Sequence, residues 1–323
     1  MIDYSNETIN KWARLGMRKA FGEILSEIAD DDPDLLVLAA DVASSGNLSV
    51  FNNRHPDQFF NIGIAEQNMT GIACGLAKEG NTVFITSFAP FVSLRNYEAI
   101  RTLIGYMHLN VKIVALAGGM SLSVQGNTHY TLEDIALMCS IPGMTVLSPA
   151  DVKEEAKCLE YMAANEGPMY LRLTGIDGSP VLLKEDDPLW PEVPSILREG
   201  EDIAILSTGS ITSECIRTAR LLKKEGLSCA VYDTCRLKPI NREWVKRMFA
   251  DYRLVVTVEE HFAVNGLGSI ISNINSQMDQ PGKMLIIGID DMFPHVGDYA
   301  WLLENNHINA AHLRDRIMTA VQK

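Results

Sequence analysis

The sequence predicts an α/β protein made of two doubly wound domains in succession, and three observations carry that prediction. Short apolar runs of strand length alternate with longer runs in which apolar residues recur at helical spacing, the pattern of βαβ units around parallel sheets. At 323 residues the chain is long enough for two cores of ordinary size. Between the two sets of runs, residues 178–200 break the alternation with Pro180, Pro188, Pro191 and Pro194 and the acidic patch Glu185-Asp186-Asp187, the composition of an extended linker. The expected boundaries are 1–180 for the first domain, 181–200 for the linker and 201–323 for the second domain.

Composition narrows the function classes. An apolar share of 47% with 21% charged residues is that of a soluble globular protein. The net charge of −13 argues against nucleic acid as a partner, since the phosphate backbone demands clustered Lys and Arg. It leaves room for a small anionic substrate in a local basic pocket. No apolar run reaches the roughly 18 residues that span a bilayer, and the first residues do not read as a signal peptide, so no membrane partner and a cytoplasmic location are expected. Cys74, Cys139, Cys158, Cys215, Cys229 and Cys235 contain no CxxC pair and read as reduced core thiols, with no metal site of their own.

Taken in order, residues 8–30 form an amphipathic helix with Met17, Phe21, Ile24 and Leu25 on one side, ended by Asp30-Asp31-Asp32-Pro33. A strand over 35–40 delivers Asp41 into the small-residue loop 42–47, where a ligand could approach the backbone. Asx and Ser turns explain the same residues. A second strand ends in Ile62-Gly63-Ile64, and Glu66 then opens a helix whose Met69, Ile72, Ala73, Leu76 and Ala77 recur at the spacing of one buried face. Gly71 and Gly75 weaken that helix by about 1 kcal/mol each relative to Ala, which is easier to explain if a neighbouring backbone or a ligand comes close. After Gly80-Asn81 a strand over 82–87 leads to the corner Phe88-Ala89-Pro90-Phe91. In a parallel βαβ unit ligands gather outside the carboxyl ends of the strands, so Glu66, Phe88 and Phe91 share one edge. On spacing alone, Glu66 could equally be a carboxylate settled by the helix dipole, and the phenylalanines core residues.

The alternation continues with a helix over 92–106, a strand over 111–116, an irregular stretch 118–130, a helix over 131–138, and a strand over 144–147. Ser148-Pro149-Ala150-Asp151 caps a helix over 151–165, and a strand over 169–173 completes the first domain. The second domain reads as strand 203–207, helix 212–225, strand 229–232, helix 243–249 and strand 254–258. Gly266-Leu267-Gly268 reads as a helix-opening turn, because the full GxGxxG of a dinucleotide fold is absent. Among the histidines, His129 stands out beyond the turn Gln125-Gly126-Asn127, where an imidazole could face a pocket; His261, His295, His307 and His312 read as structural or exposed.

Three of these stretches carry a family resemblance. Ala65-Glu66-Gln67-Asn68-Met69, Thr86-Ser87-Phe88-Ala89-Pro90-Phe91 and Gly126-Asn127-Thr128-His129 resemble, in order and spacing, the "(R/A)E(F/Q)xM", "TSxFxxF" and "DGxTHQ" motifs of the transketolase pyrimidine-binding domain. The resemblance spans roughly residues 10–315, including Val258-Glu259-Glu260-His261 in a transketolase C-terminal-like domain. It implies a thiamine diphosphate-binding (pyrimidine) fold followed by that second domain, and transfer of a two-carbon ketol unit from a ketose to an aldose. Glu66 would bond N1′ of the cofactor's aminopyrimidine, Phe88 and Phe91 would flank that ring, and Asp41 would lie near the cofactor. Such a role favours a desolvated carboxylate of raised pKa, against the pull of the helix dipole. His129 would bond the sugar and shuttle protons, a task suited to imidazole. Arg18 and Ser45 match residues that hold the substrate's phosphate, and Gln125 stands where the family has an aspartate that reads a sugar hydroxyl. Two further phosphate ligands of the family would fall at Ala117 or Gly118 and at Gly175, with Arg172 nearby and on another face, so the sugar's terminal anion is expected to differ or to be held otherwise.

The half that would bind the diphosphate and Mg²⁺, with its GDG...N motif, has no counterpart; Ile176-Asp177-Gly178 lacks the first glycine. The resemblance therefore implies the C-terminal subunit of a split transketolase, partnered by an N-terminal subunit carrying GDG...N, self-dimerising within an α2β2 complex. Alternatives are the β subunit of a 2-oxo acid dehydrogenase, with which His129-Tyr130-Thr131-Leu132-Glu133-Asp134 is compatible, a deoxyxylulose-phosphate synthase-like enzyme, and a non-catalytic transketolase-like binding protein.

Overall fold

A computed structural model describes residues 2–183 and 193–322. Twelve strands lie within these residues in two sheets. In chain order they are β1 (Leu35–Ala39), β2 (Phe59–Asn61), β3 (Thr82–Phe88), β4 (Val111–Gly118), β5 (Thr145–Leu147), β6 (Met169–Thr174), β7 (Ser195–Arg198), β8 (Ile203–Ser207), β9 (Cys229–Asp233), β10 (Arg236–Lys238), β11 (Leu254–Phe262) and β12 (Met284–Ile289). The first sheet runs β10-β5-β6-β4-β3-β1-β2 and the second β12-β11-β8-β9-β7. All pairings are parallel except at two edges, where β10 runs antiparallel to β5 and β7 antiparallel to β9. The α/β reading with two parallel-dominated sheets holds.

The sheets form where they do because their central strands are apolar on both faces. Every residue of β4 is buried, as a strand covered by helices on both sides requires. Along β3 the side chains alternate between two cores, with Val83 and Ile85 on one face and Phe84 on the other. The first of these cores continues into Ala204 and Leu206 of β8 and Trp244, so a single apolar layer joins the two sheets.

Several elements differ from their sequence reading for identifiable reasons. The helix expected over 8–30 is two helices, α1 (Asn6–Leu15) and α2 (Met17–Ala29). They are separated by Gly16, whose φ of 77° and close approach to the carbonyl of Ile176, 2.4 Å from where a Cβ would stand, exclude a continuous helix. Helix α3 (Leu48–Arg54) follows the loop after β1. The expected helix over 92–106 is instead a short helix Ala89–Val92, a turn, a single turn Tyr97–Ala99 and a π-helical stretch Ile100–Gly105. Part of the expected linker, Ser195–Arg198, is strand β7, while Pro188, Pro191 and Glu185-Asp186-Asp187 lie outside the described residues. Five of the six cysteines are buried and all six are free thiols. Among the described residues no helix is long and apolar enough to cross a membrane.

The sheets are locked together by a buried charged junction. Arg172 of β6 pairs through Nε with Asp134 at 2.9 Å, and its Nη2 donates to the carbonyls of Thr131 at 3.0 Å and Glu260 at 2.9 Å. Asp134 also accepts from Tyr170 Oη at 2.7 Å. From β11, Glu260 accepts from Met120 N and, at 2.6 Å, from Tyr299 Oη. Its neighbour Glu259 accepts from the amides of Leu267 and Gly268 at 2.7 and 2.8 Å, which open the helix Leu267–Asn275. The glycine pair is thus a helix-opening turn capped by a carboxylate. Burial pushes the Glu259 carboxyl up to about 7 despite those two amides. It raises Glu260 and lowers His261 as well.

Candidate active site

Where β1, β3 and β4 end, the chain gathers its polar and aromatic residues. The helix α4 (Glu66–Lys78) begins there with Glu66 as its first residue, so the carboxylate stands at the positive end of the helix dipole. Its side chain is 3% exposed. The buried side of α4 comprises Glu66, Met69, Thr70, Ala73 and Cys74; Ile72, expected inside, is exposed. Glu66 and Thr70, one turn apart on α4, both meet the turn after the helix Ala89–Val92, and this fixes the direction of the carboxylate. Gly71 and Gly75 lie on the opposite, exposed side, and a Cβ on either would meet no described atom within 4 Å beyond its own helix backbone and chain neighbours. The close approach expected at these glycines does not come from this chain's described residues.

The partner of Glu66 is Arg95, in the turn between the helices Ala89–Val92 and Tyr97–Ala99. One guanidinium nitrogen, Nη1, donates to both carboxylate oxygens at 3.2 Å each. The same guanidinium lies over the ring of Phe91, 4.3 Å from its centroid. The turn is pinned to α4 by two bonds, Asn96 Nδ2 to Thr70 Oγ1 at 2.6 Å and Gln67 Nε2 to the Arg95 carbonyl at 3.3 Å. Sequence reading missed Arg95 because residues 92–106 scan as one helix. Pro90, which starts the short helix Ala89–Val92, is the sequence signal that the backbone restarts there.

Phe88, Phe91 and His129 form a triangle of edge-on rings. Their centroids are 6.4 Å apart for the two phenylalanines, 6.1 Å for Phe88 with His129 and 5.4 Å for Phe91 with His129. His129 closes the short 3-10 segment Ser123–Thr128, in which Gly126 has a φ of 71°. Asn127 Nδ2 anchors that segment to the carbonyl of Pro294 at 2.7 Å, so a loop following β12 sets the height of the imidazole. Thr128 Oγ1 holds His129 Nδ1 at 2.9 Å, and Nε2 has no hydrogen-bond partner among the described residues.

The remaining expected site residues lie around this group. Asp41, in the left-handed region at φ 58°, is exposed. Its amide donates to Asn61 Oδ1 at 3.1 Å, which also accepts from Gly63 N at 3.1 Å. Asn61, which sequence reasoning passed over, thus ties Asp41 to the turn leading into Glu66. Arg18 and Ser45 sit on adjoining elements, α2 and the loop after β1, joined by the bond from Gly22 N to the Gly46 carbonyl at 3.1 Å. Arg18 is half-buried, and its Nε is a buried donor without a partner. Gln125 is exposed on the His129 segment. Among the described residues no hydrogen bond, ion pair or ring contact joins Arg18, Ser45 or Gln125 to Glu66, Phe91 or His129.

At Gly118 and Gly175 the chain has no space for a further anion ligand. Gly175 N donates to Ser121 Oγ, which donates to the Gly118 carbonyl, both at 2.9 Å. A Cβ on Gly175 would stand 2.7 Å from that of Ala117, and one on Gly118 would stand 2.8 Å from Arg172 Cγ. Arg172 itself lies against Gly118 and is committed to the junction.

This arrangement provides a dry carboxylate, a planar cation lying on an aromatic ring, and an imidazole with one free nitrogen. It suits a flat heterocycle that offers an N–H or a protonated ring nitrogen to the carboxylate while stacking on an aromatic face. Residues 13–177 match the family described as "Transketolase, pyrimidine binding domain" and residues 194–313 the one described as "Transketolase, C-terminal domain". A provisionally named transketolase C-terminal section of Methanocaldococcus jannaschii is 37% identical over 310 residues, covering 95% of this chain and 97% of its own. One of the subunits of an apulose-4-phosphate transketolase from Phocaeicola vulgatus is 30% identical over 277 residues, covering 86% and 88%. A 6-deoxy-6-sulfo-D-fructose transketolase subunit of a Clostridium species is 32% identical over 302 residues, covering 92% of each. Among solved structures, a split gene transketolase in an inactive β4 tetramer superposes with a TM-score of 0.86 at 35% identity, covering 95% of this chain and 98% of that one. A transketolase from Campylobacter jejuni shares the fold at a TM-score of 0.76 and 20% identity, and this chain spans 49% of it.

Proposed function

The chain belongs to the transketolase family, and from that premise we propose that it is the C-terminal subunit of a thiamine diphosphate-dependent transketolase that transfers a two-carbon ketol unit from an anionic ketose to an aldose. The observation that carries the reading is the Glu66 carboxylate, 3% exposed, with a flat N–H donor bonded to it and lying on Phe91. An aminopyrimidine satisfies the same carboxylate and the same ring face, so the residues present fit the cofactor. Glu66 would hold a proton at N1′ of that ring, Phe88 and Phe91 would orient it and exclude water, and Asp41 would border it. When bound, thiamine diphosphate supplies the nucleophilic carbon that carries the two-carbon unit. His129, with Nδ1 fixed by Thr128, would present Nε2 to a substrate oxygen and move a proton there.

The named substrates of the relatives, a sugar phosphate and a sulfo-sugar, support an anionic sugar. Arg18, with its unpartnered buried Nε, and Ser45 would hold that end, and Gln125 would meet a sugar hydroxyl. Two relatives matched over 97% and 88% of their own length are named as a C-terminal section and a subunit, and a solved structure matched over 98% of its chain as a split gene transketolase. That supports a separate N-terminal subunit carrying the GDG...N motif, which would bind the diphosphate and Mg²⁺, in an α2β2 complex.

The test is reconstitution with such a subunit, thiamine diphosphate and Mg²⁺, assayed with ketose phosphate and sulfo-sugar donors. Glu66→Gln is expected to lower kcat by about 10²–10⁴-fold, the range for a positioned acid or base. Undiminished turnover in that variant would overturn the mechanism. Activity confined to 2-oxo acids with a lipoyl acceptor would assign the chain to the dehydrogenase branch instead.

A further inference from the structure

We propose that Arg95 is a place-holder for the cofactor's aminopyrimidine: in the free chain its guanidinium occupies the seat between the Glu66 carboxylate and the Phe91 ring, and the heterocycle binds by displacing it. The inference rests on the reading of Glu66 and Phe91 as the pyrimidine seat, and adds to it a residue that neither the motifs nor the expected ligand set contains.

The geometry points to a seat already in use. Nη1 of Arg95 is 3.2 Å from each oxygen of Glu66, so a single donor spans the carboxylate's edge. The guanidinium carbon is 4.3 Å from the centroid of Phe91, within stacking range of the face the heterocycle would need. A guanidinium is planar, delocalised and edged with N–H donors. An aminopyrimidine with a proton on its ring nitrogen offers the same three properties. The two therefore compete for the same carboxylate and the same ring face.

The two ends of the pair differ in freedom, and the difference gives the direction of exchange. The Arg95 side chain is 49% exposed and Glu66 is 3% exposed, so the cation can rotate into water while the carboxylate cannot leave. The backbone need not move. Arg95 N is bonded to the Pro90 carbonyl at 3.2 Å, and its own carbonyl accepts from Gln67 Nε2 at 3.3 Å. Swinging out is a side-chain rotation about a fixed turn.

The device answers a physical problem of the isolated subunit. Glu66 without a cation would be a carboxylate short of partners until water reached it through the opening that Arg95 leaves. Phe91 uncovered would add an exposed aromatic face beside Phe88. Arg95 settles both until the cofactor arrives and takes over each contact. It is a positioning residue that acts through Glu66.

The test uses the full chain and the pyrimidine half of thiamine, 4-amino-5-hydroxymethyl-2-methylpyrimidine, titrated by calorimetry or ligand-observed NMR. Arg95→Leu is expected to bind the probe about threefold to tenfold more tightly than wild type, the span set by releasing one half-exposed pair. Arg95→Lys, which keeps the charge without the flat donor edge, should fall between them and guards against disturbance of the turn by leucine. Glu66→Gln should bind most weakly. A structural role alone for Arg95 would make its variants bind less well. If Arg95→Leu and Arg95→Lys bind no more tightly than wild type while Glu66→Gln still weakens binding, the place-holder is overturned and the pyrimidine seat stands. If no variant changes the response to the probe, the seat itself is wrong and the place-holder falls with it.

Discussion

Two arginine–carboxylate pairs in this molecule use the same chemistry to opposite ends. At the junction between the sheets, Arg172 and Asp134 are 1% and 0% exposed, and the second arm of the guanidinium is taken by two carbonyls. At the edge of the first sheet, Glu66 is as dry as Asp134, but its arginine is half in water and spends a single nitrogen on it. The difference lies in what the cation can do on its own. Arg172 cannot move without stranding Asp134, Thr131 and the strand carrying Glu260, so it welds the two sheets. Arg95 can leave with little loss of its own, so it guards a carboxylate that another donor is able to claim.

The comparison can be broken most forcefully at the junction. Arg172→Met removes one partner of a fully buried pair, and a loss of about 3–5 kcal/mol is expected in denaturant unfolding. A variant that unfolds at the wild-type midpoint would show that the junction does not weld the sheets. Next comes the titration of Glu259. Burial raises its carboxyl to about 7, from an ordinary value of about 4.3, so the folded state binds a proton the unfolded state has released. Its contribution is complete below about pH 4 and is lost as pH rises through 7, by on the order of 3 kcal/mol. Lys112, lowered by burial to about 7 from an ordinary value of about 10.4, acts in the opposite sense at higher pH, where stability rises from about pH 7 toward pH 10. The measurement is therefore a difference: Glu259→Gln should lose less stability than wild type between pH 5 and about 8, and parallel curves would remove Glu259 from the account.

Two smaller effects sharpen the open side. Asn61→Ala unties Asp41 and Gly63 from each other and should lower stability by about 1 kcal/mol, read as a shift of the thermal midpoint. Arg95→Leu should change global stability by less than about 1 kcal/mol, because its pair is half solvated. A loss as large as that of Arg172→Met would erase the distinction between the two pairs.

The positions on the open side, though not their roles, were legible from local spacing. Local patterns placed Glu66 at a helix start, Phe88 and Phe91 at a strand's exit and His129 after a glycine turn. Spacing alone, however, left Glu66 a helix-dipole carboxylate and the phenylalanines core residues; the family resemblance singled them out. The alternation of apolar runs likewise gave both sheets, since buried parallel strands need continuous apolar sequence. What escaped was of two kinds. Arg95 lay hidden because its stretch has helical periodicity, and the break after Val92 is decided by packing of the turn on Thr70 and Gln67 rather than by the residues inside it. The junction escaped because Arg172 finds Asp134, Thr131 and Glu260 at distances along the chain of 38, 41 and 88 residues, and no local pattern encodes such meetings. The outward glycines, Gly71 and Gly75, were legible as exceptions, but not as to what faces them.

Strand β10 carries one more consequence. Its residues 236–238 come from the later half of the sequence, yet they complete the edge of the sheet built by the earlier half. Cutting the chain between its two sheets would not yield two tidy modules. It would strip the first sheet of its border and leave β5 with unpaired amides and carbonyls, the kind of open edge that recruits other chains into aggregates. In lineages where genes for such proteins fuse, split or recombine, a breakpoint between the sheets would therefore be selected against, and the two halves would be inherited as one block.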